Sequence, residues 1–265
     1  MDATDRDKAT PLVHASAGGH LALVRLLLER GAQANHKCLG GNTALSFAAY
    51  NGHEEVVREL LEAGAQVNAT IMTPAGNVPV LVYAAAKGYR GVVELFLKHG
   101  ATLNPKKAEV LPLQMTAETT NMEMVSYLLS AGADVNARQD LCGYTSLIKA
   151  ASKSTVEMVR LLIEAGADVD ARDKIGMTAL MIAARRGDQE IVKELLASGA
   201  DARIAYEDPN GKRTALDMAR ECDRSKVARL LEKWQEVTPR QTPVAARASV
   251  VVAQPGAGRG RRTGV

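Results

Sequence analysis

The fold class predicted for this 265-residue chain is an all-α solenoid of stacked helix-turn-helix units with short β-hairpin fingers. Three observations predict it. Gly-Ala pairs recur at Gly31, Gly64, Gly100, Gly132, Gly166 and Gly199 in steps of 33, 36, 32, 34 and 33 residues, and periods of this length mark stacked repeats. The helix-opening residues Thr10, Thr43, Pro79, Pro112, Thr145, Thr178 and Thr214 keep the same beat. The helices between these signals are too short to stand alone in water, so each unit needs a copy on either side.

The clearest unit is Gly143 to Asp170, GYTSLIKAASKSTVEMVRLLIEAGADVD. Thr145 is a good N-cap, because its hydroxyl can accept a backbone N–H left unpaired in the first turn. A first helix is predicted from Ser146 to about Lys153, with Ala150 and Ala151 admitting a close neighbour and Ser154 and Thr155 ending it. A second is predicted from Val156 to about Ala165. Glu157, Arg160 and Glu164 form its polar stripe, while Met158, Val159, Leu161, Leu162 and Ile163 demand burial. Gly166 supplies the left-handed residue that closes it.

Along the chain, residues 1–9 are a polar lead-in, residues 10–236 a domain of about seven repeats, and residues 237–265 a tail containing Arg, Gly and Pro that is expected to be disordered. In the first repeat, Leu21-Ala22-Leu23 and Leu26-Leu27-Leu28 are expected to pack inward against the second. The seventh reads as a polar cap, with Arg224, Lys226, Arg229, Glu232 and Lys233 around Val227, Leu230 and Leu231. The tail holds one apolar island, Ser249 to Ala253.

Composition narrows the class. With two Phe and one Trp, the interior must be aliphatic. Three cysteines, Cys38, Cys142 and Cys222, with no CxxC, suit a reducing compartment without a disulfide framework. The charged Met1 to Lys8 has no apolar signal core, and no run approaches the ~20 apolar residues that span a bilayer. A cytoplasmic setting follows, with the nucleus as alternative. The tail carries five arginines and no acid; subtracting them from the net +3 leaves −2 for the rest.

Thr10-Pro11-Leu12 and Thr43-Ala44-Leu45, each followed by small residues and then by Gly19-His20 and Gly52-His53, resemble the ankyrin repeat. So do Gly64-Ala65-Gln66-Val67-Asn68 and Gly132-Ala133-Asp134-Val135-Asn136. The resemblance runs from about Asp5 to Lys233. The third repeat departs from it, opening with Pro79 after a long finger, Thr70 to Val78. The fourth reads Leu111-Pro112-Leu113-Gln114-Met115, and its Thr119-Thr120-Asn121 replaces the Gly-His turn with one residue fewer. The fifth lacks that Gly, and the seventh follows a finger at Tyr206 to Lys212.

The resemblance implies a concave face lined by fingers and first helices, with the second helices behind. On it, finger-tip positions fall at Leu39, Asn42, Leu141, Tyr144, Ile175, Met177 and Arg213, and inner-helix positions at Tyr50, Asn51, Lys87, Glu118, Lys153, Arg185, Arg186 and Glu221. The partner-binding set drawn from them is Tyr50, Asn51, Leu141, Tyr144, Lys153, Ile175, Met177, Arg185 and Arg186. Aromatic, Met and Arg side chains are enriched in interface cores. Tyr144, Met177, Arg185 and Arg186 are expected to cluster with Lys153 between them, as an apolar and basic patch for an acidic or hydrophobic protein segment.

Other chemistry is weakly signalled. His14, His20, His36, His53 and His99 are spread about one per repeat, and His36 near Cys38 lacks paired zinc-site spacing. No phosphate loop, GxSxG or HExxH occurs. No catalytic residue, metal, cofactor or small-molecule substrate is therefore expected. The run Gly258 to Arg262 could touch nucleic acid or anionic surfaces but has no interleaved aromatics. Thr263-Gly264-Val265 resembles a PDZ ligand, and Asn68 and Asn136 suit hydrogen bonds to the hairpin backbone. The function expected is a non-enzymatic protein–protein interaction module (adaptor, scaffold or inhibitor), monomeric on its own. The alternative is a regulatory subunit whose catalytic residues lie on another chain, and after it nucleic-acid or anionic-surface binding through the tail.

Overall fold

The computed structural model describes residues 2–73, 76–105, 110–139, 141–209 and 211–237. The tail features, including the island from Ser249 to Ala253, the run from Gly258 to Arg262 and the terminal Thr263 to Val265, lie outside these residues. Among them are fourteen helices in seven pairs. The inner helices are α1 (Pro11–Ala17), α3 (Ala44–Tyr50), α5 (Val80–Lys87), α7 (Pro112–Ala117), α9 (Ser146–Lys153), α11 (Ala179–Arg186) and α13 (Ala215–Glu221). Their outer partners are α2 (Leu21–Glu29), α4 (Glu54–Glu62), α6 (Arg90–Lys98), α8 (Met122–Ser130), α10 (Val156–Glu164), α12 (Gln189–Ala197) and α14 (Ser225–Val237). Two fingers are antiparallel hairpins. Strands β1 (Thr70–Thr73) and β2 (Gly76–Pro79) pair with Thr70 opposite Pro79, and β3 (Ala205–Asp208) and β4 (Gly211–Thr214) with Ala205 opposite Thr214.

Local chemistry sets the helix starts. Thr10, Thr43, Thr145, Thr178 and Thr214 are N-caps whose hydroxyls accept a backbone N–H three residues on; Thr43–Ser46 and Thr214–Asp217 form reciprocal capping boxes. Pro79 caps α5 without a side-chain bond. In the fourth repeat the cap is Leu111, and Pro112 is the first helical residue. The repeat therefore misses no residue: taking Pro112 as the counterpart of Thr10 displaced the register by one. Its loss of the Gly-His turn, and that of the fifth repeat, is offset by capping. Asn121 and Thr155 accept from the N–H of Met124 and Met158, where His20 and His53 make no cap bond. In the seventh repeat Asp223 itself takes the left-handed turn, at φ 56°.

Inner helices stack on inner helices and outer on outer along the array. Leu12, Leu45, Leu81, Leu113, Leu147, Leu180 and Leu216 repeat one buried position of the inner helices, and Leu27, Leu60, Phe96, Leu128, Leu162, Leu195 and Leu231 repeat one of the outer helices. The interior is aliphatic apart from Phe96, which fills the outer-helix position of the third repeat. Asparagines sew the layers together. The Asn136 side chain donates to Gly166 O (3.0 Å) and accepts from Asp168 N–H (2.8 Å). Asn35 and Asn104 do the same one repeat over, and Asn68 accepts from Thr102 N–H.

The first repeat corrects one expectation. Leu27 is buried, but Leu23 and Leu26 lie on the free N-terminal end of the stack, 44% and 45% exposed. The helix offers apolar side chains to both of its sides, and among the described residues only one side has a neighbouring helix pair.

The layered packing predicts that Leu162→Ala, at a fully buried position, costs about 2–5 kcal/mol of unfolding free energy. Urea titration followed by circular dichroism measures it; a loss under about 1 kcal/mol would mean that α10 does not face the core.

Candidate interaction face

The candidate face is built from the C-terminal turns of the inner helices and the fingers beside them. Fingers are held to one another by hydrogen bonds to backbone and side chain: Lys174 N–H donates to Cys142 O (2.9 Å), and Met72 N–H to Asn42 Oδ1 (2.8 Å). Asn42 is thereby buried and structural. Beside charged groups such as Lys174 and Lys212, the finger tips leave apolar side chains in solvent. Leu39 and Met72 stand on the second and third fingers, and Leu141 and Ile175, each 63% exposed, on the fifth and sixth.

Met177 is a correction. It is only 4% exposed, so it belongs to the core and is not available to a partner. The cause is local. Asp173 Oδ1 accepts from Ile175 N–H (3.0 Å) and Met177 N–H (2.8 Å), and Asp173 N–H donates to Met177 O (2.9 Å). This loop turns Met177 inward while Ile175 stays out.

Two clusters occupy the inner helices. In the first, Tyr50 on α3 stacks on Tyr83 of α5, ring centroids 4.2 Å apart and planes 20° from parallel. Lys87 Nζ lies 5.5 Å from the Tyr83 centroid, within cation–π range. Burial, then a hydrogen bond with Tyr50, pushes the Tyr83 phenol up to about 12, so it stays neutral. In the second cluster Glu118, at the end of α7, receives Lys149 Nζ (2.7 Å) and Lys153 Nζ (2.8 Å) from α9. Lys149 Nζ also lies 4.8 Å from the Tyr144 centroid. Tyr144 and Lys153 are thus joined through Lys149 and Glu118, while Arg185 and Arg186 lie one repeat further on, at the end of α11.

Several sequence-predicted positions serve the stack itself. Asn51 Nδ2 donates to Ala17 O (3.0 Å), Arg186 Nη1 to Ala151 O (3.0 Å) and Arg224 Nε to Arg185 O (3.1 Å). Each satisfies the carbonyl end of the preceding inner helix. Arg213 is tied to Glu221 and Asp208. The guanidinium of Arg185 is exposed and makes no hydrogen bond or ion pair among the described residues. Tyr83 and Lys149 were missed from the sequence. Both stand four residues after the helix opener, where the chain carries His14, Phe47, Tyr83, Met115, Lys149, Ile182 and Met218. That variety, beside a following position that is Ala in every repeat but the fourth, was the available signal.

Four of the five histidines bond within the fold: His14 Nε2 lies 2.7 Å from Asp5 Oδ2, His36 Nε2 2.8 Å from Lys8 O, His53 Nε2 3.0 Å from Ala17 O, and His99 Nδ1 2.9 Å from Leu95 O. Among the described residues no group of three His, Cys, Asp or Glu could hold a metal, and no helix is long and apolar enough to cross a membrane.

Glu118 has a pH signature. Burial pushes its carboxyl up, but the hydrogen bonds and charges of Lys149 and Lys153 outweigh this and hold it below its ordinary 4.5. A carboxylate depressed in the folded state contributes stability that is complete above the unfolded value and fades as pH falls through the folded one. Stability measured from pH 7 to pH 3 should therefore drop less steeply below about pH 4.5 in Glu118→Gln than in the wild type; identical slopes would rule the pairing out.

Family models of ankyrin repeats match residues 1–71, 81–173 and 147–241, and a second ankyrin model matches 46–97. The ankyrin repeat protein nuc-2 of Neurospora crassa is 31% identical over 150 residues, 56% of this chain. The chain spans 11% of that relative's length. The crystal structure of the human ASB11 ankyrin repeat domain superposes with a TM-score of 0.70 at 26% identity, over 88% of this chain and 100% of the other. With capped helix pairs, asparagine-sewn fingers and matches along nearly its whole described length, the chain belongs to the ankyrin repeat family.

Proposed function

We propose that this chain is an adaptor, scaffold or inhibitor that holds a partner protein against its concave face, and that the segment it grips is apolar and acidic. Ankyrin repeat domains are protein–protein interaction modules, a fold that is generally non-catalytic. The observation that carries the reading is the pairing of solvent-exposed apolar groups with cations along one face. Leu39, Leu141, Ile175 and the Tyr50–Tyr83 stack are the apolar half; Lys87, Lys153 and Arg185 are the charged half. Apolar and aromatic anchors supply most of the energy of an interface, whereas rim charges act on steering and on the rejection of wrong partners. Because the fingers and helix ends are already fixed by the stack, little ordering remains to oppose association. Three unpaired cysteines suit a cytoplasmic setting.

The residues on which this reading rests are Tyr50, Leu141, Tyr144, Lys153, Ile175 and Arg185, joined by Tyr83 and Lys87. Asn51 and Arg186 support them from the stack. The double variant Tyr50→Ala with Arg185→Glu should lose the proteins captured by the wild type from native lysate, quantified by mass spectrometry. Its thermal midpoint should fall by only about 4 °C or less, the share of the Tyr50–Tyr83 stack, because the Arg185 side chain makes no bond among the described residues. Undiminished capture would show that the concave face is not the binding surface.

A further inference from the structure

The position occupied by Leu23 is an interior position everywhere else in this chain. Counted back from the glycine that ends each outer helix, and carried on to the last helix through the Arg224 turn, its counterparts are Val56, Val92, Met124, Met158, Ile191 and Val227, all 2% exposed or less. Each of them lies on a helix that has the preceding repeat alongside. Among the described residues Leu23 has no preceding layer and is 44% exposed, and Leu26, three residues on and on the same side of α2, is 45% exposed. The position of Leu26 faces the neighbouring layer too, since its counterparts Glu59 and Glu194 pair with Arg25 and Arg160 of the repeats before them (both 2.7 Å). The lead-in leaves this end open. It runs toward the second finger instead, where Leu39 N–H donates to Asp7 O (2.8 Å).

The opposite end is closed. Leu28, Leu61, Leu97, Leu129, Ile163 and Leu196 offer an aliphatic side chain to the layer that follows, and in the last helix Glu232 stands in their place, paired with Arg220. Arg229 and Lys233 are exposed beside it. One end of the stack is therefore finished for water and the other presents an interface of the kind that recurs through the array.

We infer that the N-terminal end is a self-association surface, on which a second copy of this chain docks by the same face. The interface is continuous with the repeat-to-repeat packing, so its occupant must bring an apolar helical layer. The charged C-terminal end cannot be that layer, which excludes head-to-tail addition. The N-terminal face of a second copy supplies it, in an isologous pair that closes on itself. Across the twofold axis antiparallel α2 helices set Leu23 of each copy against Leu26 of the other, and the small, exposed Ala22 lets the helices approach. Three side chains of each copy, Ala22, Leu23 and Leu26, make the apolar contact, far fewer than the roughly 20–30 residues a side of a stable interface, so the pair forms reversibly.

Sedimentation of the full chain over a concentration series tests this. The wild type should pass from monomer to dimer and no further, and Leu26→Glu should weaken that dimer by about tenfold or more. Glutamate already stands at this position in the second and sixth repeats, so the substitution suits the fold. Arg229→Glu, at the other end, should leave dimerisation unchanged. Amide hydrogen exchange of the wild type gives a readout that needs no variant: protection of α2 should rise with concentration, and that of α14 should not. A wild type monomeric up to about 100 μM, a dimer indifferent to Leu26→Glu, assemblies growing past the dimer, or protection that fails to rise in α2 would each overturn the inference.

Discussion

Lateral burial between successive helix pairs is the constraint on which this structure depends. A pair such as α9 and α10 has no interior of its own, because its apolar side chains point sideways along the stack as well as inward. Leu162 and Met158 are fully buried because neighbouring layers close over them. Apolar burial contributes roughly 25 cal/mol per Å², and in a linear array it accumulates interface by interface. The cross-repeat ion pairs on the outer helices, Arg25–Glu59 and Arg160–Glu194, decorate this packing. At their solvent exposure such pairs contribute little to stability.

The same constraint explains why the concave face has polar groups spent on structure. An inner helix ends with unpaired carbonyls, and the next repeat supplies the donor: Asn51 and His53 to Ala17 O, Ser154 to Thr119 O, Arg186 to Ala151 O. Residues at a family's contact positions are therefore not all equally free to contact anything. Tyr50, Leu141 and Ile175 project without such an obligation to a carbonyl; Asn51 and Arg186 carry one. Glu118 is an intermediate case, since its two lysines fix its charge and leave Lys153 reaching into solvent.

Legibility from sequence followed the range of the interactions involved. Caps and closing glycines act within one turn of helix, so the helix Ser146–Lys153 was located to the residue and Val156–Glu164 to within one. The fourth repeat was misregistered because Pro112 was read as a cap when it is the first helical residue. For the face, Leu141, Ile175 and Tyr50 were legible as surface positions. Met177 was not, because its burial is decided by three hydrogen bonds to Asp173, four residues away. Tyr83 and Lys149 escaped because only last-turn positions were carried over, whereas long side chains in mid-helix also reach the groove.

By itself the amino-acid sequence determined the fold class, most of the helix starts and the aliphatic character of the interior, since each is written in residue type and short-range spacing. Which side chains meet across repeats was decided only in three dimensions. The Tyr50–Tyr83 stack, the lysine pair on Glu118 and the exposure of Leu23 each depend on whether a second layer lies alongside and at what offset, and a period in the sequence carries no coordinate for that.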